Sequence, residues 1–153
     1  MKTTKIDPWT WQERYGYTQA WRVDGATGLV FIAGQGPIDA DGDLVGAGDF
    51  EAQARATFLN LRTVLDAAGA AKGAVVKLTT YPTDMAHVRT YGRVRDEFVD
   101  GPPAGTVVQV GALAVPGMML EVEATAVVGT DKDRPDKGRP DKDRPDKDRP
   151  DEV

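Results

Sequence analysis

A long amphipathic segment set between strand-like runs limits the fold of this chain more than any other feature. The segment DFEAQARATFLNLRTVLDAAG repeats apolar residues at helical spacing, begins at Asp49, a favoured N-cap residue, and ends at Gly69, a favoured C-terminal stop. The apolar residues expected to face a sheet are Ala54, Phe58, Leu61, Leu65 and Ala68. Because such a face must be covered by another layer, the segment predicts a helix packed on a sheet.

Strand-like runs lie on both sides of this helix. QAWRVD (19–24) and GLVFIAGQG (28–36) are typical of two strands joined by a turn, and Asp41-Gly42 predicts a reversal with a short strand after it. Later runs predict a strand over 74–82, a second helix that begins at Asp84, and two closing strands in GTVVQVGAL and MLEVEATAVV. The order predicts an α/β sandwich of one sheet with two helices on one face.

The predicted sheet keeps one face without a covering layer. In LEVEATAV, Leu120, Val122 and Ala124 share one face of the strand, whereas Glu121 and Glu123 share the other. The run GLVFIAGQG is almost continuously apolar, as expected where both faces of a strand are covered. Since the sequence holds no third layer for the second face, we expect the chain to self-associate.

Composition excludes several kinds of chemistry. The 153 residues include no cysteine, no serine and one histidine, which excludes disulfides, thiolate nucleophiles, a Ser-His-Asp relay and a histidine-rich zinc site. The single histidine, His87, opens the second predicted helix and is expected to be solvated. The stretch DADGD (39–43) imitates the start of a calcium loop, but Leu44 and Phe50 stand where that loop needs Gly and Glu. We expect neither a metal nor a cofactor.

Net charge and hydropathy limit the kinds of partner that the chain is expected to bind. A net charge of −5 at pH 7 disfavours a nucleic-acid partner, because phosphate recognition needs clustered Lys and Arg. No run approaches the roughly 18 apolar residues of a membrane span, and the N-terminal residues lack the apolar region of a signal peptide. The expectation is a cytoplasmic protein without a nucleic-acid or membrane partner.

The C-terminal residues differ sharply in composition from the rest. From residue 131 the chain repeats Asp, Lys, Arg and Pro with a period of five, and almost nothing in it is apolar. Such a segment cannot offset its ordering entropy, and its prolines break helices. We therefore expect one folded domain over 1–130 and a disordered charged tail over 131–153, acting as a spacer or, alternatively, binding a partner.

Polar groups and bare backbone lie at several predicted strand ends. Gly34 and Gly36 would let a ligand approach main-chain N–H groups, Tyr17 offers a hydroxyl and Glu121 a carboxylate. Each glycine taken alone is more typical of a turn or a bulge, so only the set points to a small-molecule site.

Taken in order, these stretches resemble the RidA/YjgF family of reactive-intermediate (enamine/imine) deaminases over residues 15–128. The resemblance rests on the strand ending in Gly34-Gln35, the helix DFEAQARATFLNLRTVLDAAGA, the strand VVKLTTYPTDM, Pro103-Ala104 and the closing EVEATAV. It implies a chorismate-mutase-like α/β sandwich, with one mixed six-stranded sheet and two helices on one face. It also implies a homotrimer with small-molecule pockets between its subunits.

The resemblance further implies a set of site residues, one of which is replaced here. Tyr17 and Glu121 would be catalytic, with Glu121 positioning the attacking water or handling its proton. Gly105 stands where deaminating members carry an Arg that holds the substrate's carboxylate through a bidentate pair, and glycine offers one N–H at most. The other implied substrate-binding positions are Gly34, Ala33 (in place of a frequent Ser), Thr106, Val107 and Gly92 (in place of a helical Asn).

Three hypotheses remain open at this point. The first is an enamine/imine deaminase or related hydrolase with altered substrate choice, in which Arg22 or another Arg takes over from the missing clamp or none does. The second is a non-catalytic homotrimer that binds a small metabolite. The third is a partner protein whose trimer displays the charged tails.

Overall fold

The computed structural model describes residues 1–129, and the predicted tail and domain boundary lie outside the described residues. Six strands and two α-helices occur within this range. Their bounds are β1 (Lys2–Ile6), β2 (Ala20–Asp24), β3 (Gly28–Gln35), α1 (Phe50–Ala67), β4 (Val75–Pro82), α2 (Val88–Phe98), β5 (Ala104–Val107) and β6 (Leu120–Val128). No helix among these residues has the length and apolar content of a membrane span.

The strands form two sheets rather than the single six-stranded sheet that we expected. A mixed four-stranded sheet has the order β3-β6-β4-β5, in which β6 is antiparallel to both neighbours and β4 runs parallel to β5. The second sheet pairs β1 with β2 along their full length, from Lys2 opposite Asp24 to Ile6 opposite Ala20. The α/β class is confirmed, and the one-sheet arrangement is wrong for this chain.

The predicted hairpin between β2 and β3 is also wrong, because β2 takes β1 as its partner. The N-terminal strand was missed since KTTKI carries little apolar signal, and all five residues are exposed. The turn after β2 is instead hydrogen-bonded to the end of β6, because the Thr27 N–H donates to the Val128 carbonyl at 3.0 Å. Between the two sheets, one isolated bridge joins Thr18 to Ala104 at the start of β5.

The Asp-Gly reversal is present, but the strand predicted after it is not. The Gly42 N–H donates to the Asp39 carbonyl at 3.2 Å, and a single bridge joins Ile38 to Leu44. The strand predicted in GTVVQVGAL is likewise shortened to β5, although the Val108 N–H still donates to Thr80 on β4. β5 is an edge strand with a partner on one side only, and the 38–44 reversal pairs only with itself through this single bridge.

The first helix lies where the sequence predicts it. The Asp49 carboxylate caps α1 by accepting the Ala52 N–H at 3.0 Å, and Gly69 takes the positive φ of 70° typical of a helix stop. Of the residues expected to face the sheet, four are buried: Ala54, Phe58, Leu61 and Leu65. Ala68 is exposed, because it is the C-cap residue and lies beyond the last helical turn.

The second helix begins later than predicted. Asp84 caps a short 3-10 turn by accepting the Ala86 N–H at 2.8 Å, and α2 follows from Val88. This turn directs the His87 ring onto Phe50, with ring centroids 4.4 Å apart and nearly parallel planes. His87 is therefore half-buried in a stack, not solvated as we expected.

Both helices cover the same face of the four-stranded sheet and share its core. That core includes Phe58 and Leu61 of α1, Val94 of α2, and Leu120 and Val122 of β6. On β6 the apolar residues do point to the helices, while Glu121 and Glu123 point away, as their alternation predicts. The opposite face has no covering layer in residues 1–129, and Leu29 and Phe31 stand exposed on it, the latter at 78%.

Candidate functional site

Gly34 and Glu121 lie in direct contact at one end of the four-stranded sheet. The pairing of β3 with β6 shifts between Ile32 and Gln35, so Gly34 falls in an irregular stretch, as is common next to functional sites. A Cβ on Gly34 would lie 1.9 Å from Oε1 of Glu121 and 2.8 Å from its Cδ. Gly34 is thus needed for space: the half-buried Glu121 side chain lies across its backbone.

Two polar side chains of α1 hold the loops that adjoin this pair. The Asn60 amide donates to the carbonyls of Gly36, at 2.8 Å, and Ile38, at 2.7 Å, just after β3. Gln53 is fully buried; its amide donates to the Gly117 carbonyl at 2.9 Å and its oxygen accepts the Met119 N–H at 2.7 Å. The helix therefore fixes the end of β3 and the start of β6, and with them Gly34 and Glu121.

Tyr17 and Gly105 form a second pair at the start of β5. A Cβ on Gly105 would lie 3.1 Å from the Cβ of Tyr17, so Tyr17 packs closely on the glycine backbone. The next residue fixes this position, because the Thr18 N–H donates to the Pro103 carbonyl at 3.0 Å. The Asp7 carboxylate accepts the Thr18 hydroxyl, at 2.7 Å, from the other side.

Asp7 anchors the N-terminal segment through charge-stabilising bonds. Its Oδ1 accepts the Gln19 N–H and the Thr18 hydroxyl, each at 2.7 Å. The Gln19 N–H, followed by the Thr18 hydroxyl, lowers the pKa of the Asp7 carboxyl below its usual value. The Asp7 carboxylate is therefore held by Thr18, the residue that directly follows Tyr17.

Within one chain the two pairs lie apart. Glu121 is opposite Tyr81 of β4, and Gly105 is opposite Leu78 of the same strand. The pairs are thus two strand spacings apart across the sheet and three residues apart along it, a separation of about 14 Å. The structure brings Gly34 to Glu121 and Tyr17 to Gly105, but it does not bring the two pairs together.

The other predicted substrate-binding positions have different surroundings. Thr106 lies on the open sheet face, where its hydroxyl accepts from the Lys77 ammonium at 2.8 Å. Ala33 is exposed beside Gly34, whereas Val107 packs against the core. Gly92 lies in α2, and a Cβ there would meet nothing outside its own helix within 4 Å.

A shallow pocket on the open sheet face lies beside these residues rather than on them. Its volume is about 230 Å³, and none of the predicted site residues lines it. The polar and aromatic side chains around it include Phe31, Lys77, Thr79, Glu123 and Thr125. At its border the Tyr81 hydroxyl donates to Glu123 at 3.0 Å, and this bond raises the pKa of Tyr81.

Two arginines, Arg22 of the clamp hypothesis and Arg95 beside Tyr17, are paired with acids. Arg22 is exposed and binds Asp24 at 3.0 Å on the β1–β2 sheet. Arg95 of α2 is buried against Gly16, next to Tyr17, and binds Asp96 at 2.7 Å. No cluster of three His, Asp or Glu side chains in residues 1–129 is suited to a metal ion.

Sequence reasoning missed the aromatic neighbours of Tyr17. Trp11 meets the Tyr17 ring edge-on, with centroids 6.1 Å apart, and Trp9 lies 6.5 Å from Trp11. The signal was present in the run WTW at 9–11, but without a predicted element it had no spatial partner. The contact between Tyr17 and these tryptophans forms only because the segment 7–17 folds back towards β5.

The chain is thus a small α/β protein in which two helices cover one face of a mixed sheet and Glu121 lies across Gly34 where two strands meet. The model of one family, described as Endoribonuclease L-PSP, matches residues 12–128. The chain belongs to this family, and the resemblance to RidA/YjgF proteins is confirmed.

Individual relatives agree with this membership. The chain is 38% identical over 112 residues to protein DfrA of Myxococcus xanthus, covering 72% of this chain and 84% of the relative. A Rid-family protein of unknown function from Yersinia pestis, YyfB, superposes with a TM-score of 0.74 at 33% identity, covering 84% of this chain and 100% of the other. E. coli TdcF with bound serine superposes with a TM-score of 0.59 at 32% identity, covering 72% and 87%.

Proposed function

We propose that the protein hydrolyses the C–N bond of small enamines or imines, with a substrate choice altered by Gly105. The observation that carries the proposal is the Glu121 carboxylate, held across the Gly34 backbone at the meeting of two strands. Gln53 and Asn60 keep both strands in place. A carboxylate fixed in this way is suited to general acid–base work on a water molecule.

Glu121 takes a proton from water as the water oxygen bonds to the imine carbon. On a protonated imine, the π electrons of the C=N bond move to the nitrogen and neutralise it, which gives a neutral tetrahedral carbinolamine. Glu121 then gives its proton to this nitrogen, and the C–N bond breaks as the oxygen forms the carbonyl. The hydroxyl proton passes to the leaving ammonia, so a carbonyl product and ammonium leave. Tyr17 orients the substrate beside Gly105, and main-chain N–H groups near Gly34 and Thr106 stabilise developing charge.

The proposed pocket forms between neighbouring subunits of a homotrimer. One chain holds the Gly34–Glu121 pair and the Tyr17–Gly105 pair about 14 Å apart, which is too far for one small ligand to touch both. A neighbouring copy packed on the open sheet face would cover Leu29 and Phe31 and bring its own pair alongside. The small-molecule site is thus incomplete in one chain.

Gly105 argues against 2-iminoacids as the best substrates. A buried Arg–carboxylate pair is bidentate and charge-assisted, and a glycine supplies at most one N–H in its place. Arg22 and Arg95 are already paired with Asp24 and Asp96. The serine bound by TdcF supports a ligand of amino-acid size, and the net charge of −5 opposes RNA as the substrate despite the family's description.

The experiment compares Glu121→Gln with a matched control, Glu123→Gln. Both residues lie on the same strand and face, but Glu123 bonds the Tyr81 hydroxyl instead of lying on Gly34. Imines are generated in place by an amine or amino-acid oxidase, and the release of ammonia is timed. We expect Glu121→Gln to lose roughly a hundredfold or more in rate and Glu123→Gln to stay within a few fold. Equal rates for the two variants would contradict the role of Glu121.

A second arm tests the missing clamp with Gly105→Arg. The added Cβ would lie 3.1 Å from that of Tyr17, so Tyr17 has to shift by only a few tenths of an ångström. We expect the variant to gain activity on 2-iminoacids relative to carboxylate-free imines. A wild-type protein that already prefers 2-iminoacids would refute the altered substrate choice.

A non-catalytic homotrimeric binding protein is the alternative, and the same glycine favours it. Without the clamp, a ligand can be held less firmly in the geometry that hydrolysis needs. Metabolite binding that persists in Glu121→Gln, with no turnover by the wild type on any imine, would establish this alternative.

A further inference from the structure

Three aromatic rings form a connected surface directly beside Gly105. We call Trp9, Trp11 and Tyr17 the aromatic platform: their rings touch in sequence, and Tyr17 rests on the Gly105 backbone. Trp9 and Trp11 are 58% and 49% exposed, so each leaves part of its ring open to a ligand. The platform therefore begins where the family's carboxylate-binding Arg would stand.

Neighbouring rings in the same part of the chain already attract cations. The Arg14 guanidinium lies 4.8 Å from the centre of the Tyr15 ring, and the Lys5 ammonium lies 5.8 Å from that of Trp21. No cation of residues 1–129 lies over Trp9 or Trp11. The faces of tryptophan rings attract cations more strongly than those of other aromatic residues.

The charges around the platform also favour a positive ligand. Asp7 is held by Thr18 and Gln19, directly after Tyr17, and Glu121 would add a second carboxylate in the assembled pocket. Arg95 is the basic residue packed against Gly16, but its side chain is buried and bound to Asp96. A ligand carboxylate placed here would meet acidic neighbours, whereas the Arg14 guanidinium lies over the Tyr15 ring, outside the platform.

We propose that the aromatic platform replaces the carboxylate clamp and binds a cationic amine or iminium that carries no carboxylate. This inference rests on the proposed function for the place of the platform beside the pocket. It assigns the substrate class: iminium ions of simple amines, whose hydrolysis gives an aldehyde or ketone and ammonia. Recognition then comes from ring faces and nearby carboxylates instead of a bidentate ion pair.

The test measures binding without turnover, using two probes of matched shape. Cyclohexylammonium and cyclohexanecarboxylate are titrated into the full chain, and protein NMR shifts report affinity. We expect the cation to bind at least fivefold more tightly than the anion. Trp11→Ala should weaken cation binding roughly two- to fivefold, and Trp9→Ala with Trp11→Ala roughly tenfold. Tyr15→Ala is the control, because Tyr15 has the same 58% exposure as Trp9 but lies outside the platform.

Three results would overturn the inference, and a fourth would overturn only the proposed reaction. If the anion binds as tightly as the cation, the site does not select positive ligands. If Trp11→Ala and Tyr15→Ala weaken cation binding equally, the aromatic platform is not the binding site. A changed mass in sedimentation for the tryptophan variants would show that a second copy of the chain covers these rings. If Glu121→Gln leaves hydrolysis unchanged while Trp11→Ala still weakens cation binding, the proposed reaction fails and the platform stands.

Discussion

Replacing Gly34 with alanine should reveal whether Glu121 occupies the space that the glycine leaves. The new Cβ would lie 1.9 Å from Oε1 of Glu121, so the carboxylate must retreat by about 1.5 Å to reach the 3.4 Å of ordinary contact. Its Cδ and Cγ lie 2.8 and 3.3 Å from the same point, so the whole end of the side chain is affected. Because Gly34 does not have a positive φ, alanine fits the backbone itself.

The magnitude follows from two opposing effects. Overpacking costs about 1–3 kcal/mol, whereas a Gly→Ala change at a compatible position gains about 0.4–1 kcal/mol by restricting the unfolded chain. In the wild type we expect the free energy of unfolding to fall by about 0–2.6 kcal/mol. In a Glu121→Ala background the clashing atoms are gone, so Gly34→Ala should stabilise by about 0.4–1 kcal/mol. The coupling between the two changes is then about 1–3 kcal/mol.

Urea unfolding of the four proteins in this cycle gives the coupling directly. Gly36→Ala is the matched control, because its Cβ would meet Cε of Met118 at 2.3 Å instead of Glu121. Its cost should be the same, within about 0.5 kcal/mol, with or without Glu121→Ala. A coupling below about 0.5 kcal/mol for Gly34→Ala would refute the contact. In an active preparation Gly34→Ala should also lower the rate of hydrolysis on the order of a hundredfold, since moving a catalytic group by about 1 Å is enough for such a loss.

Three further changes test the core, the loop anchor and the N-terminal segment. Phe58→Ala should lower the free energy of unfolding by about 3–5 kcal/mol in urea titrations, because the ring is fully buried. The neighbouring Leu59 is exposed, so Leu59→Ala should change the same free energy by no more than about 0.5 kcal/mol. Asn60→Ala should cost about 1–3 kcal/mol, because the Ile38 carbonyl loses its side-chain donor and the Gly36 carbonyl keeps only the Ile38 N–H. A loss under about 0.5 kcal/mol would show that water replaces the amide. Asp7 has a folded-state pKa below 3.8, so its contribution is complete above that pH and is lost as the pH falls through the lower value. Tryptophan fluorescence should report acid release of the N-terminal segment, and Asp7→Asn should flatten that transition; an unchanged acid transition in the variant would point to another group.

Local features of the sequence predicted the elements around the site well. The Asp49 cap, the helical spacing of α1 and the alternation of β6 depend on neighbouring residues, and the structure confirms each of them. The same reasoning named Gly34 and Glu121 as candidates from their strand ends. It did not predict their contact, because the size of a gap between two strands depends on the bulge in β3 and on the anchors Gln53 and Asn60.

Pairing between distant strands is where sequence reasoning was wrong. The backbone N–H and C=O groups of β2 can be satisfied by β3 or by β1 equally well, and no side-chain pattern in 19–36 distinguishes the two. The fold resolves the choice: Thr18 and Asp7 fix the approach to β2, and β1 then lies beside it. The stack of His87 on Phe50 has the same origin, since it depends on how two helices approach each other.

The sequence by itself determined the class of fold, the limits of α1, the apolar and acidic faces of β6, and the absence of an arginine at position 105. These are set by short-range geometry and by residue identity. Only the tertiary structure decided that the strands divide into two sheets, that Gly34 makes room for Glu121, and that Trp9 and Trp11 extend Tyr17 beside Gly105. These depend on contacts between residues far apart in the chain, which the packing of the whole domain selects.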